Sequence, residues 1–232
     1  MLLPLWVWAL GAAVLLVLAV LAGVVAWALL RPRPLRRIRL GNTRVSLWVR
    51  ERRMPRRVAT IVAPVAPDLR MIVGIAKWIR DATAGAAQRE ADAVAPLQPG
   101  AAAIVGGGKY RFRRTALAVV TDERKRCNTE LIRTAVANAI DMARGAGGGS
   151  VLIPDFTEDL LSQPRTITDE QRRETCRPIA EAVLDAVRAS AGPADEVLIW
   201  VWRPGVEDVW AAELERHERT HSHPASPSPA AT

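Results

Sequence analysis

No charged side chain occurs between Met1 and Leu30, and the chain of 232 residues holds only two cysteines, Cys127 and Cys176. The first absence marks a membrane segment, because a span needs only about 20 predominantly apolar residues. It also argues against a cleaved export signal: there is no basic leading region, the apolar run is too long, and no small-x-small site closes it. The second absence excludes a disulfide framework and a four-cysteine zinc site, and agrees with a reducing compartment. No internal repeat is present either.

Residues 1–30 therefore read as one transmembrane helix, with Trp6, Trp8 and Trp27 near the two interfaces. Immediately after it come Arg31, Arg33, Arg36, Arg37 and Arg39. By the positive-inside rule this places the N-terminus outside the cell membrane and the C-terminal bulk in the cytoplasm. The net charge is +8, but residues 31–57 hold eleven arginines against one acid, Glu51, a net +10. The rest of the chain is then near −2 (8 − 10). A globular part that is not basic makes nucleic acid an unexpected partner. The Arg31 to Arg39 cluster instead suits anionic lipid headgroups, at about 1 kcal/mol per charge near the surface. Pro32 and Pro34 interrupt helical continuation, so residues 31–42 read as a short, stiff basic linker.

Residues 43–216 read as one α/β domain. Val58 to Val62 is an apolar run without polar alternation, as in a strand covered on both faces. Asp68 is placed to cap a helix whose inward face is Ile72, Ile75, Ala76 and Ile79. In open α/β sheets, ligands bind beside such strand-to-helix connections, which makes Ala63 to Gly74 the first place to seek a site. Residues 83–100 lack periodicity and read as a helix end followed by a surface loop. Ala101 to Val105 and Thr115 to Thr121 are strands joined at Gly106-Gly107-Gly108. No helix follows those glycines to receive a phosphate, so they read as a hairpin turn. Thr129 to Arg144 is a clear amphipathic helix. Ser150 to Pro154 is a buried strand, and the loop from Asp155 to Pro164 sits at its carboxyl end. Pro178 predicts a kink or a new start in the following helix. Glu196 to Trp202 is the last strand, with Trp200 and Trp202 packing under a helix. Val206 to about Arg216 is the last helix, and residues 217–232 form a disordered tail. The order of elements predicts a three-layer α/β/α sandwich.

In order and spacing these segments resemble the macrodomain family over residues 43–215. The resemblance rests on Val-Ala-Thr-Ile-Val-Ala-Pro-Val-Ala-Pro-Asp-Leu at 58–69, Gly-Ile-Ala-Lys-Trp-Ile-Arg-Asp-Ala at 74–82, Pro99 to Gly108 with Ala116-Leu-Ala-Val-Val, and the helix running into Ser150-Val-Leu-Ile-Pro154. It implies a macrodomain-like sandwich with a mixed sheet, and binding or processing of ADP-ribose or its relatives. It also implies where a pocket lies. The adenine-contacting acid falls near Glu51, and two ribose-orienting asparagines fall on Ala63 and Ala66, which have no polar side chain. The first phosphate loop falls on Met71 to Ile75, with only Gly74 retained. The second falls on Thr157-Glu158-Asp159-Leu160, where acids oppose a diphosphate. The candidate pocket is thus Glu51, Ala63, Ala66, Asp68, Gly74, Ile75, Asp155, Thr157 and Glu158.

Three further constellations have plainer readings. His217-Glu218-Arg219-Thr220-His221 fits the H-E-x-x-H zinc pattern, but it sits at a helix end with no domain beyond to form a cleft. Asp155, Glu158 and Asp159 read as a solvated acidic loop rather than a magnesium or acid/base site. Cys127 follows Arg124-Lys125-Arg126, which favours a thiolate, but without a neighbouring histidine it reads as an inert thiol. The expectation is a membrane-tethered cytoplasmic module that binds an ADP-ribose-like ligand or a protein partner without catalysis. No catalytic residue, cofactor or metal is assigned. An ADP-ribose hydrolase with a rearranged site is the alternative, and a tail-borne zinc hydrolase the third reading.

Overall fold

The structure, a computed structural model, describes residues 15–24, 33–49, 58–107, 110–160, 167–190, 196–202 and 204–222. The chain divides into two compact units, Met1–Arg33 and Pro34–Thr232. In the first unit residues 15–24 are helical, with Leu15, Leu16, Val17, Leu18 and Leu21 exposed along it. The rest of the expected span lies outside the described residues. Among the described residues no helix is long and apolar enough to cross a membrane.

The second unit holds a seven-stranded mixed sheet. Its strands are β1 (Arg36–Leu40), β2 (Thr43–Val49), β3 (Val58–Val65), β4 (Ala102–Gly106), β5 (Phe112–Val119), β6 (Val151–Pro154) and β7 (Glu196–Val201). Their order across the sheet is β1-β2-β7-β6-β3-β5-β4. The five inner strands are parallel, and the edge strands β1 and β4 run antiparallel to their neighbours. The helices are α1 (Gly74–Ala82), α2 (Ala86–Val94), α3 (Thr129–Gly145), α4 (Asp169–Ala189) and α5 (Glu207–Ser222).

Residue alternation along the inner strands explains the three layers. Ile61, Ala63 and Val65 of β3, Leu117 and Val119 of β5, and Leu198 and Trp200 of β7 pack with Ile75, Ile79, Ala87 and Ala91 of α1 and α2. Val62, Ala116, Ala118, Ile153 and Ile199 face the opposite way, into a second core with α3, α4 and α5. Successive side chains of a strand point to opposite faces, so strands covered on both faces must be apolar throughout. Trp78 of α1 meets Trp200 edge-on, with ring centroids 5.7 Å apart, which places a tryptophan of the last strand under a helix as expected.

Several expectations give way. Residues 36–40, expected as linker, form β1. Ile38 and Leu40 are buried while Arg37 and Arg39 are exposed, so a period-two strand lies inside what reads as a run of charge. Arg36 turns back to pair with Glu215 and Glu218 of α5. Residues 86–94 form α2 rather than loop, because Ala87 and Ala91, one turn apart, are its only buried residues. Two methyl groups are too weak a stripe to register as periodicity. Helix α4 runs unbroken through Pro178. Its start is fixed by a capping box, in which Gln171 N–H donates to Thr168 Oγ1 at 3.2 Å and the Thr168 N–H to Gln171 Oε1 at 3.1 Å. Helix α5 continues to Ser222 instead of ending at 216, because His217 is buried against α4.

Ile61 is fully buried at the centre of the sheet, between β5 and β6. Ile61→Ala should lower the unfolding free energy by about 2–5 kcal/mol, read as an earlier urea midpoint with an unchanged slope.

Candidate ligand cleft

Strand β3 is where the sheet's connections diverge. After it the chain passes through α1 and α2 on one face to reach β4 and β5. After β5 it crosses on the other face through α3 to reach β6, on the opposite side of β3. A crevice opens at the carboxyl ends of the strands at such a switch point. Here it is a cleft of about 340 Å³. Its walls are Pro64, Val65 and Ala66 after β3, Ile72, Val73 and Ala76 at the start of α1, Val120 and Thr121 after β5, and Asp159 and Leu160 after β6. Asp68, Arg70, Lys125 and Cys127 complete the lining.

The lining is mainly apolar with few polar groups. Thr121 contributes a hydroxyl that is buried and takes no hydrogen bond within the described residues. Lys125 stands on a tight turn: the Lys125 N–H donates to the Asp122 carbonyl at 2.9 Å, and the Asp122 carboxylate accepts from the Arg126 N–H at 2.8 Å. Hydrogen bonding from the Arg126 backbone, and then from its side chain, holds the Asp122 carboxyl below its ordinary value.

At the start of α1 the structure departs from expectation. Asp68 does not cap the helix; it accepts from Arg70 N–H at 3.2 Å in the preceding turn. The residue before the helix is Val73, which gives no side-chain cap, and the first turn holds no acid. Ile72 faces outward, 53% exposed. The missing acceptor comes from Asp159, whose Oδ2 accepts from Ile75 N–H at 3.1 Å. Asp159 belongs to a short 3-10 turn, Glu158–Leu160, after β6.

That turn is anchored by Asp155, which is buried rather than solvated. Asp155 Oδ1 accepts from Thr157 Oγ1 at 2.6 Å, Thr157 N–H at 3.3 Å and Trp210 Nε1 at 3.3 Å. Its carbonyl accepts from Trp202 Nε1 at 2.8 Å. Burial pushes the nearby Cys176 thiol far up, and the Asp155 carboxylate adds to the effect. A carboxylate so enclosed holds loop to helix and is not presented to the cleft.

Of the expected pocket, Ala66 and Asp68 line the cleft, whereas Gly74 and Ile75 do not; Ile75 is buried, and its N–H donates to the lining residue Asp159. Ala63 is buried in the core beneath. Asp155 and Thr157 lie in the supporting network. Glu51 and the side chain of Glu158 lie outside the described residues. Asp159, read from the sequence as part of a solvated acidic loop and left out of the expected pocket, lines the cleft. One position from Glu158 on an irregular turn, it carried no periodic signal to show which acid reaches the helix.

The tail motif has another role. His217 Nδ1 donates to the Glu213 carbonyl at 2.9 Å, and Nε2 lies 3.3 Å from Asp185. Among the described residues no group of three or more His, Cys, Asp or Glu is arranged to hold a metal; the His221 side chain and His223 lie outside them.

Comparison with solved structures gives the fold a name. An Oceanobacillus iheyensis macrodomain with MES bound superposes with a TM-score of 0.63 at 12% identity, over 80% of this chain and 97% of that one. A Trypanosoma brucei macrodomain in complex with ADP gives 0.59 at 13% identity, over 75% and 69%. The same protein in complex with ADP-ribose gives 0.59 at 14%, over 79% and 77%. No protein-family model matches the sequence, and no curated protein does. The second unit has the macrodomain fold.

Cys127 lies in the cleft wall, where burial pushes its thiol up to about 11. The neighbouring basic residues do not turn it into a thiolate. At pH 8 it should alkylate roughly two orders of magnitude more slowly than a free thiol, as measured with iodoacetamide on a Cys176→Ser background. The thiol stays neutral to higher pH in the folded than in the unfolded chain. Its contribution to stability is thus complete below about pH 8.5 and is lost as pH climbs toward 11.

Proposed function

We propose that this chain is a single-pass membrane protein that holds a macrodomain-fold binding module at the cytoplasmic face, and that the module takes a nucleotide-type ligand in its cleft without catalysis. The observation that carries the proposal is the cleft at the β3 switch point, open and mainly apolar. Rate enhancement requires groups that position the reacting atoms and stabilise developing charge. Ala66 and Val73 supply neither. The positions that the resemblance assigns to asparagines are Ala63 and Ala66, one sealed in the core and one a methyl on the cleft wall. Macrodomains solved with ADP and ADP-ribose support a nucleotide-type ligand through the shared fold.

The tether is supported by the uncharged residues 1–30 and the arginines that follow. With Arg36 engaged by α5, the exposed Arg33, Arg37 and Arg39 remain to face anionic headgroups. A reporter fused after Thr232 should be active only in the cytoplasm; activity outside would reverse the orientation.

Titrating ADP-ribose into the full chain in detergent should show binding weaker than 1 µM, the level that corresponds to about −8 kcal/mol. An ADP-ribosylated protein incubated with the chain should lose its modification no faster than in buffer. Release above that background would restore the hydrolase reading. No heat and no thermal shift with either ADP-ribose or adenosine would point to a protein partner instead.

A further inference from the structure

The first amides of a helix have no partner within the helix, and the helix dipole leaves that end positive. In α1 neither the cap residue Val73 nor the first turn offers a side-chain acceptor. The acceptor is a carboxylate from 84 residues away, Asp159, 3.1 Å from Ile75 N. It lies hard against the backbone: a Cβ on Gly74 would stand 1.5 Å from Asp159 Oδ1 and 2.2 Å from its Cγ. Gly74 is also at φ +51, so this position requires glycine both for its conformation and for the approach of the acid.

Asp159 at the same time lines the cleft, beside Val73 and Ala76. Its place is set by a rigid support. Asp159 N–H donates to the Phe156 carbonyl at 3.0 Å and Leu160 N–H to the Thr157 carbonyl at 3.3 Å, while Thr157 is held by the buried Asp155. The positive end of α1 is therefore already occupied by an anion of the protein's own.

We propose that Asp159 is the specificity-determining residue of the cleft: a resident anion that takes the helix terminus a phosphate would otherwise occupy, and so restricts the ligand to one that is uncharged or cationic at that point. The inference rests on the reading of this cleft as a nucleotide-type site and narrows it to nucleoside-like ligands without a diphosphate. Two effects exclude the diphosphate. Its oxygens would need the volume that the carboxylate fills, and like charges a few ångströms apart repel, the more so as water is excluded.

The test uses the full chain, with Asp159→Ala and with Asp159→Ser, which keeps a small polar side chain on the turn; both remove the carboxylate from Ile75 N–H. The probes are inorganic pyrophosphate, adenosine and ADP-ribose, followed by calorimetry and thermal shift. Both variants should bind pyrophosphate at least ~10-fold more tightly than the parent, as expected when a positive helix end is freed for an external anion. Adenosine affinity should stay within about twofold, since that ligand carries no charge to be repelled. If Asp159→Ala does not fold, Asp159→Ser decides alone. A folded variant that binds pyrophosphate no better than the parent overturns the proposal, as does a parent that binds ADP-ribose as tightly as the variants; the latter would leave the nucleotide reading intact. A gain for pyrophosphate with no adenosine or ADP-ribose binding in any form supports Asp159 as the resident anion and removes the nucleotide reading instead.

Discussion

The architecture follows from one constraint: β3 has parallel partners on both edges and is buried on both faces. Parallel neighbours require crossover connections, and crossovers bring helices onto the faces. With β5 reached on one side and β6 on the other, the two crossovers take opposite faces. The carboxyl end of β3 is then left between diverging chains, so the cleft is a consequence of topology before any side chain is chosen.

What the cleft can do is set by side chains one layer further out. Asp155 ties the end of β6 to β7 through Trp200 and Trp202 and to α5 through Trp210. A buried carboxylate is tolerated when it is hydrogen-bonded, and here Thr157 of the same loop and Trp210 of α5 donate to it. That network fixes the turn carrying Asp159, which in turn caps α1. The start of α1 thus depends on a chain of contacts that begins on the far side of the sheet.

These relations explain how much the sequence could show. Strands β3, β5, β6 and β7 are legible because two-faced burial leaves unbroken apolar runs, and α3 because Ile132, Val136 and Ile140 make a strong stripe. Helix α2 is hidden because its buried face is two alanines. Strand β1 is hidden because its outward arginines look like a topology signal that merely follows the span. At the site, the apolar side chains of Ala63 and Ala66 are legible in the sequence. Local spacing points to Asp68 as the capping acid because it favours a cap close in sequence, whereas the helix draws its acceptor from Asp159 through tertiary structure.

On the proposed reading, two features of the cleft act in the same direction. Small apolar residues remove hydrogen bonds that a polar ligand would need, and an internal carboxylate satisfies the helix end that would otherwise attract an anion. A site emptied only of polar groups would still leave exposed, unpaired amides at the start of α1, with a residual affinity for phosphate. Here Asp159 removes that affinity and stabilises the free protein at once, because the capped helix needs no ligand to complete it. The open cleft is therefore compatible with a stable unliganded domain, and any molecule that enters must gain its affinity from the apolar wall and the few polar groups beside it, rather than from the helix terminus.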